Sequence, residues 1–227
     1  LAWNFNLRIT YTRGTYTPEF FATLFLLLFG CMSLCKQEVE APLSVAIVFG
    51  LVIATNVQIF GHISGAHMNP VISVAAVIFG RMSVLTCIAY VIVQCSGAIA
   101  GFGLMGILLP EEMKPTGMCV TLPHKDLNLV CAIALEALFT AALVLLCCSI
   151  WDFHNMNRHD SVPIKFGLTV MFLVVIGGHL TGTSLNPARS LGPAVWNNVW
   201  DFHWIYWVGP LAGGSIASTF YTFVWKR

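Results

Sequence analysis

The stretch Gly65-Ala66-His67-Met68-Asn69-Pro70 has a counterpart in Gly182-Thr183-Ser184-Leu185-Asn186-Pro187, and the residues directly after each of them decide the fold. Behind the prolines run two apolar stretches, 70–79 and 187–197. Asn directly before Pro reads as a capping side chain followed by a first-turn proline, the start of a helix. A membrane-spanning helix needs about 20 mostly apolar residues. These two are about half that length, which makes them re-entrant elements that enter and leave by one face.

Six other segments are long enough to span: 18–36, 43–62, 83–108, 127–151, 163–180 and 203–225. The order is long, long, short, long, and then the same again. Glu-x-x-x-Thr marks the first helix of each half, Glu19 to Thr23 and Glu136 to Thr140. Three spans per half is odd, so the second half must sit inverted relative to the first. Such inverted repeats put their functional site near the midplane, where broken helices meet. The expected architecture is an all-α membrane protein of six transmembrane helices and two re-entrant half-helices. It forms one domain over 1–227, with halves of about 15–110 and 127–227.

Composition agrees. Of 227 residues, 57% are hydrophobic and only 9% charged, against roughly a quarter charged in a soluble domain; mean hydropathy is +0.80. Lipid must therefore be the solvent for much of the surface. A net charge of +1 gives no reason to expect nucleic acid. Seven of the eight cysteines, Cys31, Cys35, Cys87, Cys95, Cys131, Cys147 and Cys148, sit in apolar runs without a tight pair. They are expected to act as small hydrophobes, not metal ligands. Cys119, in a polar loop, is expected to be exposed. Arg8 and Arg13 precede a long apolar stretch with no cleavage pattern, so no cleavable signal is expected.

With both termini inside, Arg8, Arg13, Arg81, Arg158, Lys165, Lys226 and Arg227 fall on the cytoplasmic side, and Lys36, Lys114 and Lys125 outside. Seven against three favours that orientation.

Backbone at membrane depth must be bonded or face a water-filled cavity. Two half-helices meeting tip to tip aim their positive dipole ends at one midplane spot, which repels a cation or hydronium. The Asn69 and Asn186 carboxamides can donate to a passing oxygen while their own oxygens cap the helices. A water held by both donors turns its hydrogens outward, which interrupts a proton wire.

The strings Gly61-His62-Ile63-Ser64-Gly65-Ala66-His67-Met68-Asn69-Pro70 and Asn186-Pro187-Ala188-Arg189-Ser190 resemble the signatures of the aquaporin, or major intrinsic protein, family. The resemblance covers essentially the whole chain. It implies the hourglass fold, a homotetramer with one pore per subunit, and passive conduction with no cofactor. It also implies a pore ladder of carbonyls from Gly65, Ala66 and His67, and from Gly182, Thr183 and Ser184. Glu19 and Glu136 resemble buried carboxylates that brace the two loops. One departure is Val71, where the family usually has Ala; Asn69, Pro70, Val71 and Asn186, Pro187, Ala188 make the central constriction, with a packing adjustment expected at Val71.

The family's outer filter has four positions, which map here to Phe49, Val174, Thr183 and Arg189. Val174 lies twelve residues before Asn186 and eleven after Pro163. Strict water channels of the family carry His there. Gly177-Gly178-His179 invites a shifted alignment that would offer His179 instead, but both counts agree on Val174, and His179 is expected in the loop past the helix. Val in place of His removes a donor and bulk, widening the ring into an apolar wall opposite a polar edge. Such a slot suits glycerol or urea as well as water. Ser190, Ala194 and Tyr206-Trp207 resemble the water-specific branch instead, which keeps a strictly water-selective channel as the alternative. The family's mercury-sensitive cysteine is missing at Thr183.

His154 and His159 belong to a solvated loop, and His67 to the pore-lining loop. A coupled transporter would need midplane ion ligands, and only Glu19 and Glu136 are there. A closed-pore structural protein is the remaining competitor, and no set of residues suits an enzyme.

Overall fold

The computed structural model describes residues 11, 13–35, 42–155 and 160–226. Arg8, Lys36, Arg158, His159 and Arg227 lie outside them, as does the side chain of Arg13. The chain forms α1 (Tyr16–Met32), α2 (Pro42–Ser64), α3 (Pro70–Ile78), α4 (Val84–Leu108), α5 (Leu129–Trp151), α6 (Val162–Thr181), α7 (Pro187–Asn197) and α8 (Ile205–Phe220). Among the described residues there is no strand.

Helices α2, α4, α5 and α6 are long and apolar enough to cross a membrane by themselves. The first and last expected spans are shorter than the sequence suggested. Helix α1 stops at Met32 because Ser33 caps it, its Oγ donating to Gly30 O at 2.6 Å. A 3₁₀ turn at Arg13–Thr15 extends α1 at its start, and a π turn at Tyr221–Trp225 extends α8 at its end. With those turns each reaches roughly 30 Å, enough for a bilayer core.

The half-helices α3 and α7 have 9 and 11 residues. Asn69 Oδ1 accepts from Val71 N at 2.9 Å. Asn186 Oδ1 accepts from Ala188 N at 3.0 Å and Arg189 N at 3.3 Å. Both caps therefore satisfy N–H groups that a helix start leaves free.

The halves interlock. Helix α1 packs on α4 and α5 on α8, while each short helix also packs on the last long helix of the other half, α3 on α8 and α7 on α4. Helices α2 and α6 cross at Gly50 and Gly167, where a Cβ on Gly50 would lie 2.6 Å from Gly167 O and one on Gly167 2.7 Å from Gly50 O. Only glycine permits that approach, the usual device where lipid supplies no hydrophobic drive between helices. Large apolar side chains such as Leu51, Leu85 and Ile107 point outward and are exposed.

One expectation fails. Cys31 and Cys119 are joined in a disulfide, and Cys119 is buried, not exposed. The polar loop after α4 folds back over the end of α1 and carries Cys119 inward with Met118. Among the described free cysteines, Cys131 is the exposed one.

Candidate functional site

A cavity of about 2060 Å³ runs through the helices. One mouth is lined by Ser33–Cys35 and by 115–121, the other by Gly80, Arg81, Trp151, Phe153 and Lys226. Between them the wall is made by the two loops that precede the half-helices, Gly65 to Asn69 and Gly182 to Asn186.

Those loops match residue for residue at an offset of 117. Gly65, Ala66 and Met68 have φ of 86°, 46° and 53°; Gly182, Thr183 and Leu185 have 82°, 44° and 57°. Left-handed φ is uncommon outside glycine, so something must hold each loop. Two buried carboxylates do. Glu136 accepts from Thr181 Oγ1 (2.7 Å), Ser184 N (2.9 Å) and Leu185 N (3.0 Å). Glu19 accepts from Ser64 Oγ (2.9 Å), His67 N (3.2 Å), Met68 N and Gln94 Nε2 (2.8 Å). The hydroxyls of Ser64 and Thr181 also accept from Ala66 N (3.1 Å) and Thr183 N (3.2 Å). Tyr90 and Tyr206 close the frame, donating to Ser64 O (2.8 Å) and Thr181 O (2.7 Å). Sequence reasoning found the carboxylates but missed Ser64, Thr181, Tyr90 and Gln94, and marked Tyr206 only as a sign of the water-specific branch. The hydroxyls at a constant distance before each Asn were a legible signal; the tyrosines, deep in apolar helices, were not.

At the centre the two half-sites lock together. Asn69 Nδ2 donates to Leu185 O at 2.8 Å, and Asn186 Nδ2 to Met68 O at 2.7 Å. One amide hydrogen of each Asn is thereby fixed, leaving the second for the lumen. Both asparagines line the cavity. Val71 does not: it is fully buried in a cluster with Ala75 and Val144. Its added bulk meets Gly214, where a Cβ would lie 2.2 Å from Val71 Cγ1. Pro70, Pro187 and Ala188 are likewise buried behind the asparagines.

Toward the 115–121 mouth, Phe49, Val174, Thr183 and Arg189 all reach the cavity wall. The Arg189 guanidinium sits 5.2 Å from the Phe49 ring centre, and its Nη1 donates to Cys119 O at 2.6 Å. Gly177 leaves room for Thr183, since a Cβ there would fall 2.4 Å from Thr183 Oγ1. His179 also borders the cavity, but not from a loop: it is in the last turn of α6, exposed, five residues beyond Val174. The helix passes Gly177-Gly178 and ends only at Gly182, whose left-handed backbone donates to Gly178 O at 3.1 Å. His67 lines the cavity and is buried, its ring bonded to Ser73 Oγ (3.0 Å) and Tyr11 OH (3.3 Å). His154 is exposed beside Asp152.

The sequence profile of the family described as major intrinsic protein matches residues 7–221. The chain belongs to the major intrinsic protein family. As a member it is a multi-pass integral membrane protein and a passive channel, not an enzyme. It is 37% identical over 209 residues to the lens fiber major intrinsic protein of Oryctolagus cuniculus, covering 91% of this chain and 79% of that protein. It is 37% identical over 214 residues to aquaporin-4 of Mus musculus, covering 92% and 66%. It is 36% identical over 218 residues to aquaporin-2 of Homo sapiens, covering 95% and 80%. The X-ray structure of the aquaglyceroporin from Plasmodium falciparum superposes with a TM-score of 0.84 at 21% identity, covering 95% and 97%, and shares the hourglass fold.

Proposed function

We propose that this channel conducts water together with small neutral solutes such as glycerol and urea, and excludes ions and protons. The observation that carries the solute range is Val174 on the cavity wall facing the same passage as Phe49, Thr183 and Arg189. Phe49 and Val174 supply an apolar side for carbon atoms. Arg189 and Thr183 supply a polar side for hydroxyls or amides. The fixed charge of Arg189 raises the barrier to cations.

At the centre, α3 and α7 direct their positive ends and the free Asn69 and Asn186 amide hydrogens at one point. A water oxygen engaged there has its hydrogens turned away, so no proton wire runs through. Carbonyls of Gly65, Ala66, His67, Gly182, Thr183 and Ser184 form the acceptor ladder on either side. Glu19 and Glu136 act as braces, since loop N–H groups and hydroxyls occupy their oxygens.

The orientation with both termini cytoplasmic is supported by Arg81, Lys165 and Lys226 opposite Lys114 and Lys125. The Cys31–Cys119 bond supports it too, because disulfides persist on the oxidising side and the 109–128 loop is on that face. The reading places the chain in the plasma membrane as a homotetramer, with one pore per subunit and lipid around it.

The test is solute entry into reconstituted vesicles. Wild type admits glycerol and urea above bare lipid, and Val174→His lowers that entry while sparing water. Exclusion of both solutes by wild type would leave the strictly water-selective alternative. That alternative draws on Ser190, whose Oγ bonds Thr121 Oγ1 (2.7 Å) and Ser184 Oγ (2.6 Å) behind the filter.

A further inference from the structure

We propose that the Cys31–Cys119 disulfide positions the filter arginine: it holds the loop carbonyl to which Arg189 is anchored, so this cross-link helps set what the pore admits. The inference rests on the reading of Arg189 as part of the filter.

The chain of contacts is short. Cys31 is fully buried in α1, one residue before its end. Its partner Cys119 lies 88 residues away, in the loop between α4 and α5. Cys119 O accepts from Arg189 Nη1 at 2.6 Å. The bonded cysteine and the acceptor carbonyl therefore belong to one residue, and only that residue's own torsions lie between the cross-link and the anchor. Cys119 has φ of 66°, a left-handed conformation that a non-glycine residue seldom keeps without external restraint. That conformation directs the carbonyl at the arginine.

On either side of Cys119 this loop holds α7, and further along His124 N donates to Leu180 O of α6 at 2.7 Å. Met118 O accepts from Asn197 Nδ2 (3.3 Å), and Thr121 Oγ1 bonds Ser190 Oγ (2.7 Å). The disulfide adds a covalent tie to α1, from the other half of the molecule. With it, Cys119 is restrained from both sides of the passage. Without it, Cys119 can relax toward an ordinary φ and its carbonyl turns away. Arg189, long and flexible, then loses its wall acceptor and extends into the lumen, where water hydrates it. A filter with the guanidinium in its path passes less of everything, and least of the bulkier solutes.

The experiment compares per-channel water and urea permeability of reconstituted wild type, Cys31→Ala/Cys119→Ala, Arg189→Ala, and the triple variant. Removing the cysteine pair should lower water permeability by about threefold or more, and urea at least as much. In the Arg189→Ala background, removing the same pair should change neither. A cross-link that only stabilises the fold would act equally in both backgrounds, and that outcome overturns the proposal, as does an unchanged double variant. If Arg189→Ala itself leaves both permeabilities at wild-type values, the filter reading falls and this inference with it. If Arg189→Ala shifts them and the cysteine pair does not, only this inference falls. Should the cysteine variants fail to reach the membrane, wild type already in vesicles is treated with dithiothreitol. Two protein thiols form as the dithiol closes to its own ring disulfide, and mass spectrometry follows loss of the 31–119 cross-linked peptide. Reduction should lower water permeability to the same extent, in wild type and not in Arg189→Ala; full reduction with no change overturns the proposal.

Discussion

Gly214→Ala is the sharpest probe of how the central constriction keeps its width with Val71 beside it. The new Cβ would lie 2.2 Å from Val71 Cγ1 and 3.2 Å from Val144 Cγ2, where ordinary contact begins at 3.4 Å. Val71 is β-branched and helical, so its side chain has essentially one rotamer and cannot swing aside. Helices α3 and α8 must then separate by about 1 Å, and overpacking of this kind costs about 1–3 kcal/mol. Asn69 stands two residues before Val71 and caps the same helix. A shift of about 1 Å would stretch its 2.8 Å bond to Leu185 O beyond hydrogen-bonding range, a further loss of about 1 kcal/mol. The expected result is destabilisation of about 2–4 kcal/mol, with lower water permeability per channel. Val71→Ala alone should cost about 1–2 kcal/mol, because inside lipid the transfer term is small and lost packing dominates. Val71→Ala/Gly214→Ala should recover most of the loss, giving a coupling of at least about 1 kcal/mol. Detergent-unfolding midpoints and stopped-flow swelling of vesicles measure the two effects. Additive effects, or a double variant no better than Gly214→Ala, would refute the claim that Gly214 accommodates Val71.

Four further outcomes are expected. Val174→His should cut glycerol and urea entry while leaving water within about twofold, read by light scattering under solute gradients. Glu136→Ala orphans Ser184 N and Leu185 N at membrane depth, which costs roughly 2–6 kcal/mol; poor recovery of folded protein by size exclusion checks it, and near-normal recovery would remove the bracing role. Tyr206→Phe deletes the bond to Thr181 O and the hydroxyl contact with Thr121, so a loss of about 1–2 kcal/mol is expected with conduction retained. Cys35 borders the cavity mouth near Cys119, so an impermeant thiol reagent added outside should slow water flow in wild type and not in Cys35→Ser. Burial raises the Cys35 thiol above its ordinary value, so at neutral pH little of it is thiolate and labelling should speed up as pH rises.

The parts of the site that can be read from sequence are those set by local chemistry. Asn before Pro announces a capped helix start wherever it occurs, and both caps form. A carboxylate in an apolar helix announces a buried partner, and Glu19 and Glu136 have theirs. The features that escape such reading depend on chain segments meeting from a distance. Cys31 reads as one apolar residue among many, because its partner arrives only when the 109–128 loop folds back. His179 is expected in a loop past α6, yet it lies in that helix's last turn. Gly177 instead makes room for Thr183, and the helix continues to Thr181.

The same bonds that hold the loops explain why a pore this polar survives inside lipid. Each loop turns the N–H groups of three successive residues away from the cavity, Ala66, His67 and Met68 on one side, Thr183, Ser184 and Leu185 on the other. A carboxylate and a hydroxyl receive them. The carbonyls of Met68 and Leu185 are taken by the opposite asparagine. What each loop has left for the lumen is acceptors, with the asparagine amides as the only donors offered at the centre by those two loops. On the proposed reading, a passing water or polyol donates along the loops and accepts at the centre, then donates again on leaving. An ion of either sign gains at one of these stations and loses at the next. On the same reading, discrimination against charge begins where Glu19 and Glu136 draw the backbone, and the filter ring adds the Arg189 barrier to cations and the choice among neutral solutes.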